Sequence, residues 1–486
     1  MSFQNDNSHN EPAEPPIVVL LGLPFHDLTL KEALEECNRA LKGNSPEYFA
    51  TANVDFTAQA YKDNDLRRIL FYAHRIVCDG MPLVWASRIL GRPLRERVAG
   101  SDLVPRLFEQ CARNQHKIYF FGSDEKTLAE CKECLEERYV GIQIVGYESP
   151  PMGNVEEWNN EEIARRIRSC EADLLLVALG CPKQERWIYA HHNETGAQLS
   201  IGIGASLDFI TGKQVRAPEW MQKIGMEWFW RMASNPKRLA GRYFNDLIFL
   251  TFAVFRQKLS LLRRKTRPDA SKPHPTPPPD FDLIEWPSDV ERANVNSAPF
   301  PGSITKAILL DLSAIEFIDS SGLGRIAALG RLCRDSNQNL VLLNPSTAAK
   351  SALASVRMDS LFPIAMSKSE AAELLAKNNS ATAITQKEKN HIRLRFEGTL
   401  EAATYDQMMD ELLLAIQKGG TNVIIDLSKV DFIDSRAIGG LIKIKRELAH
   451  QKRELFIDNA KESVRETLRL LRIDKLLPEY PSSVEP

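Results

Sequence analysis

Two nearly identical phrases near the end of the chain constrain its fold more than any other feature. The stretch "DLSAIEFIDSSGLG" begins at Asp311, and "DLSKVDFIDSRAIG" begins at Asp426, 115 positions later, with eight of fourteen positions identical. After each phrase the apolar pattern predicts a helix, a strand, a turn and a second helix. A period of this length is typical of one small domain, so the sequence predicts a duplicated α/β domain.

The rest of the chain divides at a proline-rich stretch. "RRKTRPDASKPHPTPPPDFD" is typical of an extended linker, which we place at 263–280. It predicts a front domain at 16–262 and repeat domains at 281–376 and 383–481, with the low-complexity "AKNNSATAITQKEKN" separating the two copies. We expect the linker to keep the front domain largely independent of the repeats.

Before the linker, short apolar runs alternate with helical stretches. The runs include "PPIVVLLGL", "HKIYFFG", "ADLLLVALG" and "QLSIGIGASLDF", and the helical stretches include "LKEALEECNRALKG". This alternation predicts a Rossmann-like, mostly parallel sheet with helices on both faces. The predicted fold class is therefore α/β, with one large sheet domain followed by two small α/β domains.

The composition limits the functions to consider. A net charge of −2 over 486 residues argues against nucleic acid as a partner. The N-terminus lacks the pattern of a secretion signal, and the longest apolar run, "LIFLTFAVF", is too short to span a bilayer. The eight cysteines are scattered, and only Cys131 and Cys134 form a C-x-x-C, without a second pair to complete a zinc site. We expect a reduced cytoplasmic protein.

Polar residues follow the predicted strands of the front domain at three places. At the first, Thr51 and Asn53 follow the apolar "YFA", and Asp79 and Gly80 follow "RIVC". Ligands of open α/β sheets bind beyond the carboxyl ends of the strands, which favours Asp79 as a general base. The alternative is that Asp79 caps the following helix, whose first turn contains Pro82.

The other two places are rich in glycine. In "LGCPKQERWI", Gly180 makes a turn and Gln184 opens the next helix, whose free N–H groups suit a phosphate. An ordinary βα turn explains the same letters. Further on, Gly202 and Gly204 follow a strand and precede a stretch dense in Trp and Arg. Glycines there allow a diphosphate to approach the backbone.

The front domain closely resembles the WecG/TagA/CpsF family of bacterial glycosyltransferases. The resemblance rests on "TANVDF", "CDGMPLVWASRILGRPLRERVAGSDLVPRLFE", "GCPKQERWI" and "GASLDFITGKQVRAPEWMQKIGMEWFWRMASNPKR". It implies the inverting transfer of a sugar, often of the N-acetylmannosamine type, from a UDP-sugar to a polyprenyl-diphosphate-linked acceptor. Such transfer serves the synthesis of surface polysaccharide in the bacterial cell envelope.

The resemblance also implies roles for individual residues. Thr51 and Asp79 match the family's catalytic positions, with Asp79 as the base. Asn53 and Gln184 match its pocket residues, and basic residues near the end of the domain match an appendage that reaches the lipid diphosphate. With the loop glycines above, the candidate substrate-binding residues are Asn53, Gly80, Gly180, Gln184, Gly202, Gly204, Arg216, Arg231 and Arg238.

We expect no metal and no other cofactor. Many sugar-nucleotide enzymes hold a metal with an Asp-x-Asp, and this chain contains "DND" at 63–65. The letters that follow predict an amphipathic helix, so a solvated helix start explains this motif better than a metal site. The family resemblance likewise implies metal-independent catalysis.

The end of the front domain has the composition of a segment that lies on a membrane. "MEWFWRMASNPKRLAGRYFNDLIFLTFAVFRQKLSLLRRK" mixes Trp, Phe and Leu with many Arg and Lys. A terminal helix packed on the domain is the alternative, and an acceptor anchored in the membrane favours the first interpretation. We expect a peripheral protein on the inner face of the cytoplasmic membrane.

The repeated domain resembles the STAS domain of anti-sigma-factor antagonists and anion-transporter tails. In regulatory members the Ser after the Asp is phosphorylated, and it corresponds to Ser320 in the first copy and Ser435 in the second. The second copy replaces the following Ser-Gly with Arg-Ala, so we expect Ser320 rather than Ser435 to be modified. The alternative for Ser320 is a simple helix cap, and the alternative for the second copy is a purely structural role.

Two functions of different classes fit these observations. One is an active, membrane-associated glycosyltransferase, regulated through its tandem STAS domains by a kinase or an anti-sigma-like protein. The other is a signalling adaptor that binds sugar nucleotide without turning it over. Thr51, Asp79 and Gln184 favour the enzyme. A homo-oligomer is left open.

Overall fold

The structure is a computed structural model of the whole chain. It describes residues 15–204, 206–212, 216–223, 225–234, 236–262, 281–290, 298–301, 303–336, 338–378, 383–387, 391–400, 404–417, 422–470, 473 and 476–480. The predicted linker at 263–280 lies outside the described residues.

The front part of the chain alternates strands and helices, as the apolar pattern predicts. Its strands are β1 (Ile17–Leu20), β2 (Leu23–His26), β3 (Glu47–Ala52), β4 (Arg75–Cys78), β5 (Lys117–Gly122), β6 (Gln143–Glu148), β7 (Leu174–Ala178) and β8 (Leu199–Gly202). Its helices are α1 (Leu30–Lys42), α2 (Val54–Lys62), α3 (Asn64–Phe71), α4 (Met81–Ile89), α5 (Gly100–Asn114), α6 (Glu125–Arg138), α7 (Asn160–Ser169), α8 (Lys183–Thr195), α9 (Ser206–Ile210), α10 (Glu219–Lys223), α11 (Glu227–Ser234) and α12 (Pro236–Leu262). A short 3₁₀ helix covers Val155–Glu157.

Six of these strands form one parallel sheet in the order β4-β3-β8-β7-β5-β6. The central strand β7 reads "LLLVA" and is buried along almost its whole length, because helices cover both faces of the sheet. Two separate apolar cores lie on these two faces. The predicted α/β class with a mostly parallel sheet is confirmed.

The first apolar run is an exception. "PPIVVLLGL" contributes β1 to a separate antiparallel hairpin with β2 and does not enter the main sheet. The turn between the two strands needs positive φ angles, and Leu21 and Gly22 adopt 53° and 92°. Two-residue turns of this hand favour hairpins, so the prediction of a sheet strand here is wrong.

The first repeat copy begins with β9 and contains a small parallel sheet in the order β14-β13-β11-β9. Its elements are β9 (Phe281–Glu285), β10 (Asp289–Val290), β11 (Ala307–Asp311), β12 (Phe317–Ile318), α13 (Ser320–Asp335), β13 (Leu340–Leu343), α14 (Thr347–Ser355), a 3₁₀ helix (Met358–Ser360), β14 (Ile364–Ala365) and α15 (Lys368–Asn378).

The second copy has a sheet in the order β15-β16-β17-β18. Its elements are β15 (Ala383–Lys387), β16 (His391–Leu400), α16 (Tyr405–Gln417), β17 (Asn422–Ile433), α17 (Ser435–His450), β18 (Leu455–Asp458) and α18 (Glu462–Leu470). The predicted order of helix, strand and helix after each phrase is confirmed. β15 lies within the low-complexity stretch, at the start of the range 383–481, and pairs antiparallel with β16.

The first repeat copy packs directly on the front domain. Ile17 and Val19 of β1 belong to the same buried apolar cluster as Ile318 and Leu323 of the first repeat. The expectation of largely independent domains is therefore wrong in this respect, because apolar side chains from both domains share one core. The sequence of the linker does not predict which surfaces of the two domains it connects come into contact.

Candidate functional site

The predicted site residues gather at the carboxyl edge of the six-stranded sheet. Thr51 lies near the end of β3 and Asp79 directly follows β4, its neighbour in the sheet. Gly202 ends β8, which pairs with the other side of β3, and Gly180 follows β7. Parallel strands bring these four loops together although they are far apart in the sequence.

Thr51 and Asp79 converge at the start of α5. Asp79 Oδ2 accepts a hydrogen bond of 3.2 Å from the backbone N–H of Gly100, the first residue of that helix. A Cβ added to Gly100 would lie 3.4 Å from Thr51 Oγ1 and 3.8 Å from Asp79 Oδ2. Gly100 thus lies against both side chains, and the start of α5 presents its N–H to the carboxylate.

The interpretation of Asp79 as the cap of the following helix is wrong. Gly80 occupies the N-cap position of α4, and that helix has no side-chain cap. The carboxylate instead turns away towards α5. Asn53 does serve as a cap, since its Oδ1 accepts a hydrogen bond of 3.1 Å from Phe56 N at the start of α2. A Cβ on Gly80 would contact Asn53 at 3.9 Å, so these two residues are neighbours.

Burial raises the pKa of Asp79 above its ordinary value. The positive charges of Arg231 and Arg97 and the hydrogen bond from Gly100 oppose this shift, and the charge of Glu227 adds to it. The carboxylate is therefore held near cations while its environment favours the protonated form. A carboxylate in such surroundings is a stronger proton acceptor than one in water.

A network of charged side chains links α11 to the loop before α5. Glu227, which is buried, accepts hydrogen bonds from Arg97 at 2.8 Å and from Arg231 at 2.7 Å. Asp102 joins Arg97 and Arg216 in the same way, at 2.7 and 2.6 Å. These carboxylates bind three guanidinium groups, and two of them, those of Arg97 and Arg231, act electrostatically on Asp79.

Two of these arginines have an N–H group that makes no hydrogen bond among the described residues. The Nε atoms of Arg216 and Arg231 are buried and have no hydrogen-bond partner within the described part of the chain. Arg231 also lies over the ring of Phe209, 4.9 Å from its centroid. A partly exposed guanidinium whose Nε–H has no partner is suited to a phosphate oxygen. Of Arg238, on α12, only the backbone is described.

Gln184 connects the glycine-rich loops. Its Oε1 accepts from Gly180 N at 3.1 Å and from Gly204 N at 3.0 Å, while its Nε2 donates to Glu185 at 2.7 Å. The side chain is 2% exposed. A Cβ on Gly202 would lie only 2.6 Å from Gln184 Nε2, which explains the glycine there. In this structure Gln184 holds the loops together.

Sequence reasoning missed four residues of this site: Arg97, Gly100, Asp102 and the bridging Glu227. Arg97 and Glu227 are 130 positions apart, so no local pattern links them. It also missed Glu185, whose pKa burial raises to about 7. The density of charged residues around Glu227 was a signal for a network, but it did not identify the partners.

The remaining predicted residues lie elsewhere. Ser320 begins α13 and is 1% exposed, and Asp319 caps that helix through hydrogen bonds from Ser321 N and Gly322 N. Ser435 begins α17, and its side chain is outside the description. Both serines are far from Asp79 in sequence and lie in the repeat copies.

The "DND" motif begins a helix, as predicted, but the prediction of a solvated start is wrong because Asp65 is 3% exposed. Asp63 caps α3 through a hydrogen bond of 3.0 Å from Leu66 N, and it also forms an ion pair with Arg186 at 2.5 Å. Asp65 is buried beside Arg186, 3.4 Å away. In the ranges that the structure describes, no three His, Cys, Asp or Glu side chains are grouped to hold a metal ion.

The segment predicted to lie on a membrane forms α11 and α12. On α12, Ala253 and Val254 pack into the front-domain core, and Gln257 Oε1 accepts from Leu21 N at 3.0 Å. Another face of this helix exposes apolar side chains by 54 to 64%: Phe244, Leu247, Ile248, Phe252 and Phe255. Among the described helices, none combines the length and apolarity needed to cross a bilayer.

Comparison with protein families gives two matches. The model described as the glycosyl transferase WecG/TagA/CpsF family matches residues 18–264. The model of the STAS domain matches residues 239–371 and 382–485. The first match contains every candidate residue of the carboxyl edge, and the second contains Ser320 and Ser435.

Curated relatives match the front domain. One is an N-acetylglucosaminyldiphosphoundecaprenol N-acetyl-beta-D-mannosaminyltransferase of Bacillus spizizenii, 30% identical over 198 residues, which are 41% of this chain and 75% of the relative. A Staphylococcus aureus protein of the same name is 27% identical over 252 residues, 51% of this chain and 94% of that protein. Among solved structures, an anti-sigma factor antagonist from Mycobacterium paratuberculosis is 19% identical, with a TM-score of 0.20, over 22% of this chain and 89% of that one.

Proposed function

Because this chain belongs to the WecG/TagA/CpsF family of glycosyltransferases and carries two STAS domains, we propose which sugar transfer it performs. It moves an N-acetylmannosamine-type sugar from a UDP-sugar to a sugar linked to polyprenyl diphosphate, with inversion at the anomeric carbon. The names of its relatives support this donor sugar and this acceptor class. The reaction serves the synthesis of a surface polysaccharide.

One observation carries the proposal. Asp79, whose pKa burial raises, lies beside Thr51 at the carboxyl edge of the sheet, within the electrostatic reach of Arg97 and Arg231. A partly buried carboxylate that, among the described residues, neither caps the following helix nor forms a direct ion pair with these cations costs stability. Such a residue is typical of an active site.

In the proposed mechanism Asp79 is the base. The acceptor hydroxyl loses its proton to Asp79 Oδ1 or Oδ2 as its oxygen attacks the anomeric carbon, and the bond to the UDP oxygen breaks on the opposite side. General-base assistance of this kind contributes ~10²–10⁴-fold to a rate. Thr51 Oγ1, which faces the same space, orients the attacking hydroxyl.

The arginines act on charge that develops on the diphosphate. The UDP oxygen gains negative charge as the bond to the sugar breaks, and prearranged donors stabilise it without reorganisation. Arg216 and Arg231 have the unused Nε–H groups for this role, and Glu227 and Asp102 hold their other donors in place. Gln184 keeps the loops of Gly180 and Gly204 in position around the donor.

The acceptor is presented by a membrane. The exposed apolar face of α12 lies on the same segment as α11, whose Arg231 is beside Asp79. We place this face in the interfacial layer of the inner leaflet, as in other peripheral proteins with apolar and basic side chains on one helix. The diphosphate of the acceptor then meets the arginines at the level of the lipid head groups.

The test is a transfer assay with purified full-length protein. UDP-N-acetylmannosamine and a polyprenyl-diphosphate N-acetylglucosamine analogue in liposomes are supplied, and released UDP and lipid-linked disaccharide are both measured. The matched control for Asp79→Asn is Asp173→Asn, an aspartate at the opposite edge of the sheet whose side chain accepts from Lys117 N at 2.8 Å. Transfer that needs Asp79 and not Asp173 supports the proposal. UDP-sugar binding without turnover by the wild-type chain would identify a silent adaptor instead.

A further inference from the structure

We propose that the repeated Phe-Ile-Asp-Ser phrase is the surface through which both STAS copies dock on this chain's own transferase domain. Docking of the first copy also steadies the loop that holds Asp79. The partner of the repeated phrase is therefore within the same chain. The docking surface stands independently of the sugar chemistry, whereas its coupling to Asp79 rests on the proposed function.

The first copy makes the closer contact. Asp319 of its phrase forms an ion pair with Arg92 of the transferase domain, and both residues are largely buried. Five positions later, Gly324 lies against β1 so closely that an added Cβ would overlap the carbonyl oxygen of Ile17. The glycine therefore permits helix α13 to approach the backbone of the hairpin.

Buried polar contacts extend this interface along α13. Arg331, 3% exposed, donates to Phe71 O at 3.0 Å and to His26 Nε2 at 2.6 Å. Arg334 donates to Tyr72 O at 2.6 Å. Side chains that are desolvated and hydrogen-bonded in this way are typical of a specific interface rather than of domains joined only by a flexible linker.

The second copy turns the same phrase towards the transferase domain at another place. The ring of Phe432 lies 4.9 Å from the guanidinium of Arg68 on α3. Burial raises the pKa of Asp65 on α3 to about 7, and the negative charge of Asp434 adds to this shift. Asp434 therefore lies within electrostatic reach of α3. Further along α17, Arg446 donates to Trp158 O at 3.2 Å. Both copies of the repeated phrase thus contact the transferase domain.

In the docked chain the predicted phosphorylation site of the first copy is buried. Ser320 follows Asp319 and is 1% exposed, and its Oγ has no hydrogen-bond partner among the described residues. A kinase cannot reach a hydroxyl in this position. A phosphate there would also place ≈ −1.5 to −2 charges next to Asp319, so modification and docking exclude each other.

A short loop leads from the docking contact to the active site. Arg92 lies in the loop between α4 and α5, where its N–H donates to Ser87 O at 2.8 Å. The same loop carries Arg97, which holds Glu227, and ends at Gly100, whose N–H holds Asp79. Asp319 therefore fastens one end of a segment whose other end positions the proposed base.

The two glycines of the phrase provide a matched pair of variants. Gly324→Ala inserts a methyl group into the contact with Ile17. Gly439→Ala is at the corresponding place in the second copy, and there the added Cβ meets no described atom within 4 Å apart from its chain neighbours and the backbone of its own helix. The probe is Ser320→Cys in the full chain, labelled by a maleimide and quantified by peptide mass spectrometry. We expect slow labelling in the parent, labelling faster by ~10-fold or more with Gly324→Ala, and no change with Gly439→Ala. Labelling of the parent at the rate of an unfolded control would overturn the docking.

The coupling is tested by charge removal. Asp319→Asn retains a side chain that caps α13 but loses the ion pair with Arg92. We expect faster hydrogen exchange in residues 90–100, while Asp434→Asn, the equivalent cap in the second copy, leaves that segment unchanged. Unchanged exchange in both variants would refute the coupling and leave the docking to stand or fall on the labelling result. Because exchange is measured without substrate, an inactive transferase cannot be mistaken for a failed interface.

Discussion

Gln184 is the residue whose removal tests the site geometry most directly. The sequence implied a contact with the substrate, whereas the structure shows a side chain that is 2% exposed and hydrogen-bonded to Gly180, Gly204 and Glu185. Gln184→Ala removes both acceptor bonds and the donor bond at once. We therefore expect the two glycine loops to loosen, and transfer to fall as a consequence of that loosening.

The magnitude follows from the two backbone amides left without an acceptor. An unsatisfied buried donor costs ~1–3 kcal/mol, which corresponds to roughly 5- to 150-fold faster local exchange of the Gly180 and Gly204 amides. Gly202 sharpens the test, because an alanine there collides with Gln184 Nε2 at 2.6 Å in the wild type. That collision is absent once Gln184 is truncated, so Gly202→Ala should cost ~1–3 kcal/mol in the wild type and far less in Gln184→Ala.

Hydrogen exchange resolved by peptide, together with the melting temperature, measures these effects in the full chain. A melting temperature alone is insufficient, since a multidomain chain need not unfold in one step. Gln143→Ala is the control, because it removes a hydrogen bond of 2.7 Å to Gln115 that is exposed to solvent. Exchange in Gln184→Ala no faster than in Gln143→Ala, or an equal cost of Gly202→Ala in both backgrounds, would refute the loop-holding role.

The proposed base and the apolar face of α12 give three further expectations. Asp79→Asn should retain UDP binding and lower transfer ~100-fold or more, because an amide cannot accept the proton; wild-type rates would remove Asp79 from the mechanism. Since burial raises the pKa of Asp79, its stabilising contribution is present at low pH and lost as pH rises through that pKa. As the pH rises through this pKa, the transfer rate of the wild type should therefore rise. Over the same pH range the melting temperature of the wild type should fall relative to that of Asp79→Asn. The double variant Phe252→Glu and Phe255→Glu should abolish liposome flotation, because each Phe side chain buried in the membrane contributes ~1.5–3 kcal/mol to binding. Val140→Glu changes another exposed apolar residue and should float normally.

Much of the architecture could be predicted because it depends on local spacing. The alternation of apolar runs and amphipathic segments predicted the α/β class, and the phrases at Asp311 and Asp426 predicted the duplication. Both family resemblances are confirmed by the matched families. Thr51, Asp79, Gly180 and Gly202 were found at one edge because parallel strands must all end on the same side.

The chemistry around Asp79 required the tertiary structure. Burial, and not its neighbours in sequence, sets the direction of its pKa, and the groups that modulate it come from the loop before α5 and from α11. The bridge from Arg97 through Glu227 to Arg231 joins residues whose letters carry no mutual pattern. Strand-end position is a local property of the chain, whereas the electrostatic environment depends on what folding brings near.

The two repeated phrases show the same division most clearly. The sequence predicted two similar helix starts, and for the first it offered Ser320 as the cap; in the structure the preceding Asp is the cap in both copies. Only the folded chain decided that Asp319 meets Arg92 while Phe432 meets Arg68, so that similar surfaces cover different parts of the transferase. A helix start depends on hydrogen bonds between residues two or three positions apart. Docking depends on apolar and charged surfaces whose residues are hundreds of positions apart, and these surfaces become complementary only once each domain has folded.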